Sequence, residues 1–414
     1  MNKISKNLME EQIFRRTFKV IYKFINKHIL RWIDFFFSVI YRKIYSLFVK
    51  TQKNKIVFVV YQGTYTCNAK YITEELLKRK DKKLDIVWLV NKRVFLDEEH
   101  DGIPKGVRVV QKGTANAVYE LMTARIWVDN ALNCLWKLIP KKKDQIYLNT
   151  WHGSLGIKRL DTYNPMYWKY IARKSRKAID YFLTNSEFEN QVFEESYWQG
   201  TGKKMIGHAR NDIFFAPDTM KKLKKKVCKF YELDPDTKIL LYAPTFRGDK
   251  EVDAYDIDYE KLYQALNERY PGKWKLLLRY HFHNRRHKME CAQEEDYIVN
   301  ATKYPDIQEL MAAADIGITD YSSWIYDYML TRRPCFIYAS DMESYNEERG
   351  FYYKLETTPF MLAKNTKQLC DNIKSFEQDV YEERLEAFLK DKGCMEDGKA
   401  SERIVDFMMP YFEE

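Results

Sequence analysis

The feature that most constrains this chain is an alternation. From residue 51 onward, short apolar runs that stop at small or polar residues are followed by stretches of helical periodicity. "KIVFVVYQG" stops at Gly63, and "LDIVWLV", "VRVVQ", "ARIWVDN", "QIYLNTWHG" and "DYFLTNS" follow, with "NAKYITEELLKRK" and "TANAVYELMTA" among the intervening helical stretches. Strands separated by helices cannot pair through tight hairpins, so the pattern predicts parallel sheets with helical crossovers. A polar, Lys-rich segment at 217–238 interrupts the alternation, after which strands resume in "KILLYAPTF", "KLLLRYH", "DYIVN", "ADIGITD" and "PCFIYA". A chain of 414 residues also exceeds the size at which one core keeps growing. The reading is an α/β protein of two doubly wound domains facing a cleft, over 51–220 and 221–390. An arm over 1–50 and a C-terminal helical segment over 391–414 flank them.

The net charge of +10 is concentrated in that arm. Residues 1–50 hold eleven Lys or Arg against three acids, which leaves only +2 for the rest of the chain. Between the charges lie Phe, Ile, Tyr, Leu and Trp at helical spacing, as in "FKVIYKFINKHILRWIDFFFSVIYRKIYSLF". The longest uncharged run, Phe35 to Tyr41, is far short of the ~20 residues that span a bilayer. A basic amphipathic helix of this kind lies on an anionic membrane surface, with apolar side chains in the headgroup boundary and Lys and Arg on the lipid charge. A helical arm packed on the enzyme body is the alternative. A nucleic-acid partner is not expected, because the apolar face would then have no role. The seven cysteines are scattered singly, which argues against a disulfide framework and suits a reducing compartment. No apolar h-region with a cleavage site opens the chain. The expected location is the cytoplasmic face of the cell membrane, peripherally bound.

In doubly wound sheets ligands bind beyond the carboxyl ends of the strands, so chemistry is sought there. "LNTWHGSLGIKRLD" places His152 and Gly153 at a strand end, with Lys158 and Arg159 shortly after; a histidine there can accept a proton near neutral pH. "GHARNDIFF" offers Arg210, Asn211 and Asp212, a triplet that alone reads equally as a loop cap. "YAPTFRGD" puts Thr245 and Arg247 after a buried strand, where Arg can present its planar fork to a phosphate. "LLLRYHFHNRRH" supplies Arg279, His281, His283, Arg285, Arg286 and His287. Arginines interleave those histidines and no carboxylate or thiol completes a ligand set, so an anion site is favoured over a metal. Finally, "ITDYSSWIYDYML" ends a strand at Asp320 and opens a helix with Ser322 and Ser323. The serines either cap that helix or, with its free N–H groups, seat a phosphate. "ESYNEERGFYY" adds Arg349.

Taken together, "TWHGSLGIKRLD", "NSEFENQVF", "GHARNDIFF", "ILLYAPTFRG", "LLLRYHFH" and "DYSSWIYDYMLTRRPCFIYASDMESYNEERGFYY" resemble, in order and spacing, the CDP-glycerol glycerophosphotransferase family, which includes the primases and polymerases of wall teichoic acid. The resemblance covers about 56 to 390. It implies a GT-B-like pair of Rossmann-like domains and transfer of a polyol phosphate, glycerol phosphate or ribitol phosphate, from a CDP-activated donor to a hydroxyl of a lipid-linked glycan or polyol-phosphate acceptor, releasing CMP. By motif, His152 resembles the family's catalytic histidine and His281 its second. Thr245, Arg247, Arg279, Ser322, Ser323 and Arg349 correspond to donor contacts, while Asp320 and Asp327 orient the site. Gly153, Lys158, Arg210, Asn211 and Asp212 fall on the acceptor side or in the cleft. No dedicated metal site is expected; Mg²⁺ on the donor pyrophosphate is the one cofactor consistent with the chemistry. Two departures stand out. Ala209 replaces the usual Pro before Arg-Asn-Asp, and Gly156 is an insertion that moves Lys158 one position further from His152-Gly153. A nucleotide-sugar glycosyltransferase on the same fold is the alternative function.

Overall fold

The computed structural model describes residues 31–79, 83–134, 139–160, 166–245, 257–280 and 295–413. Residues 1–30 of the arm lie outside the described residues, as do Arg247, His281, His283, Arg285, Arg286 and His287.

The apolar runs form two sheets. Strands β1 (Gln52–Val59), β2 (Asp85–Val90), β3 (Arg108–Gln111), β4 (Ala124–Asp129), β5 (Ile146–Asn149), β6 (Tyr181–Thr184) and β7 (Gly202–Met205) pair in the order β3-β2-β1-β4-β5-β6-β7. Strands β8 (Lys238–Tyr242), β9 (Trp274–Leu278), β10 (Ile298–Asn300), β11 (Ile316–Thr319), β12 (Cys335–Tyr338) and β13 (Met361–Ala363) pair in the order β10-β9-β8-β11-β12-β13. All neighbours are parallel. Each sheet reverses its winding once, between β1 and β4 and between β8 and β11, and each reversal opens a crevice at the strands' carboxyl ends.

The apolar half of β1, from Ile56 onward, is buried on both faces. Ile56, Phe58 and Val60 enter one core and Val57 and Val59 another, so both faces are covered. The helix Cys67–Arg79 seals the first of these with Ala69, Ile72 and Leu76 at helical spacing. On the other face, helix Ala115–Thr123 contributes Ala117 and Leu121, and helix Met166–Ser175 contributes Ile171 and Ala172.

The chain passes between the sheets twice. The outward passage is a 3-10 stretch, Ala209–Phe215, continued by helix Pro217–Phe230, whose proline sits where a helix can spare an N–H. Its lysines explain the Lys-rich segment of the sequence: Lys224 pairs with Asp315 at 2.5 Å and Lys226 with Glu309 at 2.8 Å. The return passage divides the C-terminal helices. Helix Gln378–Asp391 packs on the second sheet, with Phe388 stacked on Tyr326. Helix Ala400–Met408 lies back on the first, with the Phe407 ring edge-on to Tyr181 at 5.3 Å. Beyond it Arg125 Nε donates to Tyr411 O at 2.7 Å. The two passages touch at Gly207, whose φ of +90° suits glycine and whose missing Cβ would sit 2.8 Å from Ala400 Cβ.

Ahead of β1, helix Arg31–Phe48 leads to Val49, and Tyr45 and Val49 rest on the first domain's core. Tyr41, Leu47 and Phe48 are exposed. Among the described residues no helix is long and apolar enough to cross a membrane.

A buried charge cluster also ties the domains. Lys70, from the first domain, donates to Asp306 at 2.8 Å and to Glu309 at 2.7 Å, and Tyr304 donates to Glu309 at 2.6 Å. Dehydration would raise the Glu309 pKa, but Lys70, Lys226 and Tyr304 together outweigh it and hold the carboxyl down to about 2. A depressed carboxylate pKa stabilises the fold fully above the unfolded value of about 4.3, and that stability is lost as pH falls through the folded value. The thermal midpoint should therefore drop between about pH 4.3 and 2, and Glu309→Gln should lower it at pH 7 while flattening this acid limb. A variant whose midpoints match the parent's at pH 7 and across that range would remove the cluster from this role.

Candidate active site

A cavity of about 580 Å³ lies where the two crevices face each other. Ten residues expected from the sequence line it: His152, Gly153, Lys158 and Arg210 from the first domain, and Thr245, Arg279, Ser322, Ser323, Asp327 and Arg349 from the second. Asn211, Asp212 and Asp320 stand behind it.

His152 follows β5 through a strained turn. Trp151 has φ +51°, in the left-handed region that bulky residues avoid. The conformation is held by packing, because the indole is buried against Phe193 and Trp198, and by a hydrogen bond from Trp151 N to Asn149 Oδ1 at 2.9 Å. That turn lifts the imidazole into the cleft, stacked on Trp151 at 4.7 Å. His152 Nδ1 lies 2.6 Å from Asn130 O. A carbonyl only accepts, so Nδ1 carries the proton and Nε2 keeps its lone pair. The ring is open to the cleft yet walled in by both domains. Dehydration lowers its pKa below the usual value, and Arg210 and Lys158 push the same way against the Asn130 hydrogen bond. His152 is therefore neutral at pH 7, with a basic nitrogen available.

Beneath His152 runs a buried cross-link. Arg210 is 1% exposed and its Nε donates to Asp327 at 2.8 Å. Its Nη2 donates to Gly153 O at 2.6 Å and to Asp327 at 3.2 Å. Asn211 Nδ2 donates to Asp327 at 3.1 Å and to Glu396 at 3.0 Å. Asp212 faces away and accepts from Ala400 N and Ser401 N at the start of the last long helix, as a cap does. The Arg-Asn-Asp triplet thus fastens the second domain, the return passage and the His152 loop to one another.

The serines do not cap their helix. Ser323 makes no side-chain cap hydrogen bond, and both serines are half-buried on the cavity wall. The helix they open, Trp324–Tyr328, is five residues long before it tightens into a 3-10 turn, so its dipole is smaller than the sequence pattern suggests. Asp320 accepts from Thr245 N at 2.9 Å and Tyr321 N at 2.6 Å, which joins the ends of β8 and β11 and sets Thr245 on the cavity wall. Arg279 donates through Nη1 to Ala301 O at 3.1 Å and Tyr304 O at 2.6 Å, shaping the loop that carries Asp306. Burial lowers its pKa, against the attraction of Asp306.

Gly156, inserted relative to the family pattern, has a structural reason: a Cβ there would lie 3.0 Å from Ser323 Cβ. The loop it belongs to pairs with the second domain. Arg159 N donates to Gly350 O at 3.1 Å, Tyr352 N donates to Ile157 O at 2.8 Å, and Arg159 lies over the Tyr352 ring. Lys158 and Arg349 are brought to the cavity wall by this pairing.

Sequence reasoning missed Glu396, which is buried in the return passage. Its carboxylate accepts from Asn185 Nδ2 at 3.0 Å and His208 N at 3.2 Å besides Asn211. Dehydration raises its pKa, offset in part by His208. A single Glu after "GCM" carries no pattern that would single it out. Asn130 was also missed; its place at the end of β4, one residue beyond the switch point, is the available signal. Among the described residues no group of three His, Cys, Asp or Glu side chains could hold a metal ion.

Two Rossmann-like domains with a polar, cationic cleft between their strand ends define a GT-B-like group-transfer fold. The model of the CDP-glycerol:poly(glycerophosphate) glycerophosphotransferase family matches residues 41–409, and the chain belongs to that family. It is 29% identical over 398 residues to the teichoic acid poly(glycerol phosphate) polymerase of Staphylococcus epidermidis, covering 89% of this chain and 52% of the relative. The chain thus spans about half the length of that relative. It is 29% identical over 309 residues to the teichoic acid ribitol-phosphate primase of Bacillus spizizenii, covering 71% of this chain and 77% of the primase. The wall teichoic acid polymerase TagF superposes with a TM-score of 0.77 at 25% identity, covering 97% of this chain and 98% of the solved one. A form of TagF soaked with CDPG superposes equally well.

His152 should titrate with a midpoint below about 6.5 in an NMR pH series, with the proton of the neutral ring on Nδ1. A midpoint at or above that value would contradict the neutral, Nε2-basic assignment.

Proposed function

We propose that this protein transfers a polyol phosphate from a CDP-activated donor to a hydroxyl of a lipid-linked acceptor, in the synthesis of teichoic acid or a phosphate-containing capsule. The observation that carries the reading is His152, with a basic Nε2, on the cavity wall that faces Ser322 and Ser323 in a chain of this family. His152 Nε2 takes the proton of the acceptor hydroxyl. The resulting oxygen forms a bond to the donor's β-phosphorus, and the bond from that phosphorus to the bridging oxygen breaks, so that CMP leaves. Negative charge builds on the phosphoryl oxygens and the leaving group. Ser322, Ser323, Thr245 and Arg349 line the side of the cavity that receives it, and fixed donors there stabilise the transition state without reorganising. Arg279 acts by holding the 301–306 loop against the donor. Arg247 and His281, outside the described residues, complete the donor side. The CDPG-soaked TagF relative supports the choice of donor.

Purified protein given CDP-glycerol, CDP-ribitol or UDP-sugars with a lipid-linked acceptor should release CMP from a CDP-polyol and no UDP; UDP without CMP would point to a glycosyltransferase instead. Replacing Ser322 and Ser323 together with Ala should weaken donor binding about tenfold or more while leaving the thermal midpoint near the parent's, since neither serine caps the helix.

We further propose that residues 1–50 hold the enzyme peripherally on the anionic cytoplasmic face of the membrane. The exposed Tyr41, Leu47 and Phe48 support this, together with the +8 balance of the arm. Removing residues 1–50 should shift the protein from membrane to soluble fraction on sedimentation; unchanged sedimentation would reject the role.

A further inference from the structure

Behind the His152 loop, Ser154, Asn185 and Glu396 make an arrangement that stability alone does not explain. Asn185 follows β6 and is fully buried, its backbone N–H donating to Glu189 at 2.9 Å and its carbonyl accepting from Met395 N at 2.9 Å. Held in this way, its Nδ2 donates to Ser154 Oγ at 2.8 Å and to Glu396 Oε1 at 3.0 Å. Both amide hydrogens are then engaged. Asn211 repeats the pattern, its Nδ2 donating to Asp327 and to the same Glu396 Oε1. With their NH₂ groups turned to Glu396, the two asparagines leave Asn185 Oδ1 and Asn211 Oδ1 buried with no hydrogen-bond partner among the described residues. A buried acceptor left unmet lowers stability, so two of them on one cluster need a reason.

The reason lies in what Glu396 Oε1 gathers. It also accepts from His208 N at 3.2 Å, so three N–H groups converge on one oxygen. From that oxygen two hydrogen-bonded paths reach the backbone just after His152. The shorter passes through Asn185 to Ser154, which lines the cavity one residue beyond Gly153. The longer passes through Asn211 to Asp327 and on to Arg210, whose Nη2 donates to Gly153 O at 2.6 Å. The loop they reach needs such support. Trp151, immediately before His152, holds a left-handed φ of +51°, and strained backbone keeps its shape only where its surroundings over-determine it. The indole packing fixes the residue before the base, and the two paths fix the residues after it.

We propose that Glu396 is a positioning residue for the general base: through Asn185 and Ser154, and through Asn211, Asp327 and Arg210, it fixes the backbone at 153–154 and so the direction in which His152 Nε2 meets the acceptor hydroxyl. This rests on the phosphotransferase reading. Glu396 stands behind the cavity wall and touches no substrate. It belongs to the return passage, so the base is aligned by a segment that comes back from the second domain.

Glutamine keeps the accepting oxygen, and leucine, of similar volume, does not. Glu396→Leu should lower kcat for CMP release from a CDP-polyol with a lipid-linked acceptor about tenfold or more, and Glu396→Gln should restore it to within about threefold of the parent. The dissociation constant for the donor should stay within about twofold in both. The His152 Nδ1 proton, bonded to Asn130 O, gives a downfield NMR resonance that reports the placement of the ring. It should move in Glu396→Leu and keep the parent's position in Glu396→Gln. Ser154→Ala, a gentler change at the near end of the shorter path, should lower kcat in the same direction, and the double variant with Glu396→Leu should lose less than the product of the single losses. Parent-like kcat and Nδ1 resonance in Glu396→Leu overturn the assignment, as do single losses that simply multiply, or a loss of donor affinity in place of kcat. Should Glu396→Leu fail to fold, an unchanged kcat and Nδ1 resonance in Ser154→Ala overturns the shorter path and the assignment with it. If the Nδ1 resonance responds as stated while the parent releases no CMP from any CDP-polyol, the positioning stands and the phosphotransferase reading fails.

Discussion

The arrangement of this molecule depends on one buried ion pair, Arg210 with Asp327. Two charges taken out of water are tolerable only when their remaining hydrogen-bonding capacity is met, and removal of one partner from such a pair typically costs about 3–5 kcal/mol. Asp327 meets this condition through Arg210 and Asn211, both delivered by a 3-10 stretch that leaves the first domain. Arg210 then reaches back to Gly153 O, one residue from His152. The same side chain therefore sets the distance between the domains, neutralises the carboxylate beneath the serine loop and steadies the backbone beside His152. Arg210 lowers the His152 pKa through its charge, so the cross-link reaches into the chemistry as well as the architecture.

Around this pin the two sheets present equivalent ends to each other. Strands β1 and β4 bring Tyr61 and Asn130 to the cavity; β8 and β11 bring Thr245 and the serines. In the proposed reaction the first pair handles the nucleophile and the second the leaving group, a division that follows from topology. Each doubly wound sheet has one place where crossovers diverge and leave the strand ends uncovered. Facing two such places makes one cleft lined by the strand ends of both sheets.

The alternation of apolar runs made the parallel sheets legible, and eleven of the thirteen described strands coincide with runs read in the sequence. Those missed, β7 and β13, are edge strands. "GKKM" needs no apolar alternation, because its side chains are half-buried and Lys204 lies over Tyr181 and Phe407. "MLA" is too short to stand out. The cavity-lining His, Ser and Arg residues were legible because they follow strand ends. Their partners were not. Glu396 is more than 180 residues from Asn211 and Asn185, and the pairing of 157–160 with 350–353 joins segments with no shared pattern. Asp320 and Asp212 read as site residues because they sit beside functional ones, yet each serves the backbone. Gly156, a departure from the family pattern in sequence, becomes intelligible only when Ser323 Cβ is found where its own Cβ would press.

The two passages between the domains run side by side and touch where Gly207 meets Ala400. A body joined to another at one point can swivel freely, whereas two adjacent covalent strands define an axis. Sliding or twisting of one domain past the other would shear the 185–188 and 392–395 backbones, which are hydrogen bonded to each other along the return passage. On the cleft side the Arg210–Asp327 pair, the Lys70 cluster and the pairing of 157–160 with 350–352 brace the same two bodies. The molecule is thus a hinge with its clasp fastened: covalent passages hold it at the back and non-covalent cross-links set the gape at the front.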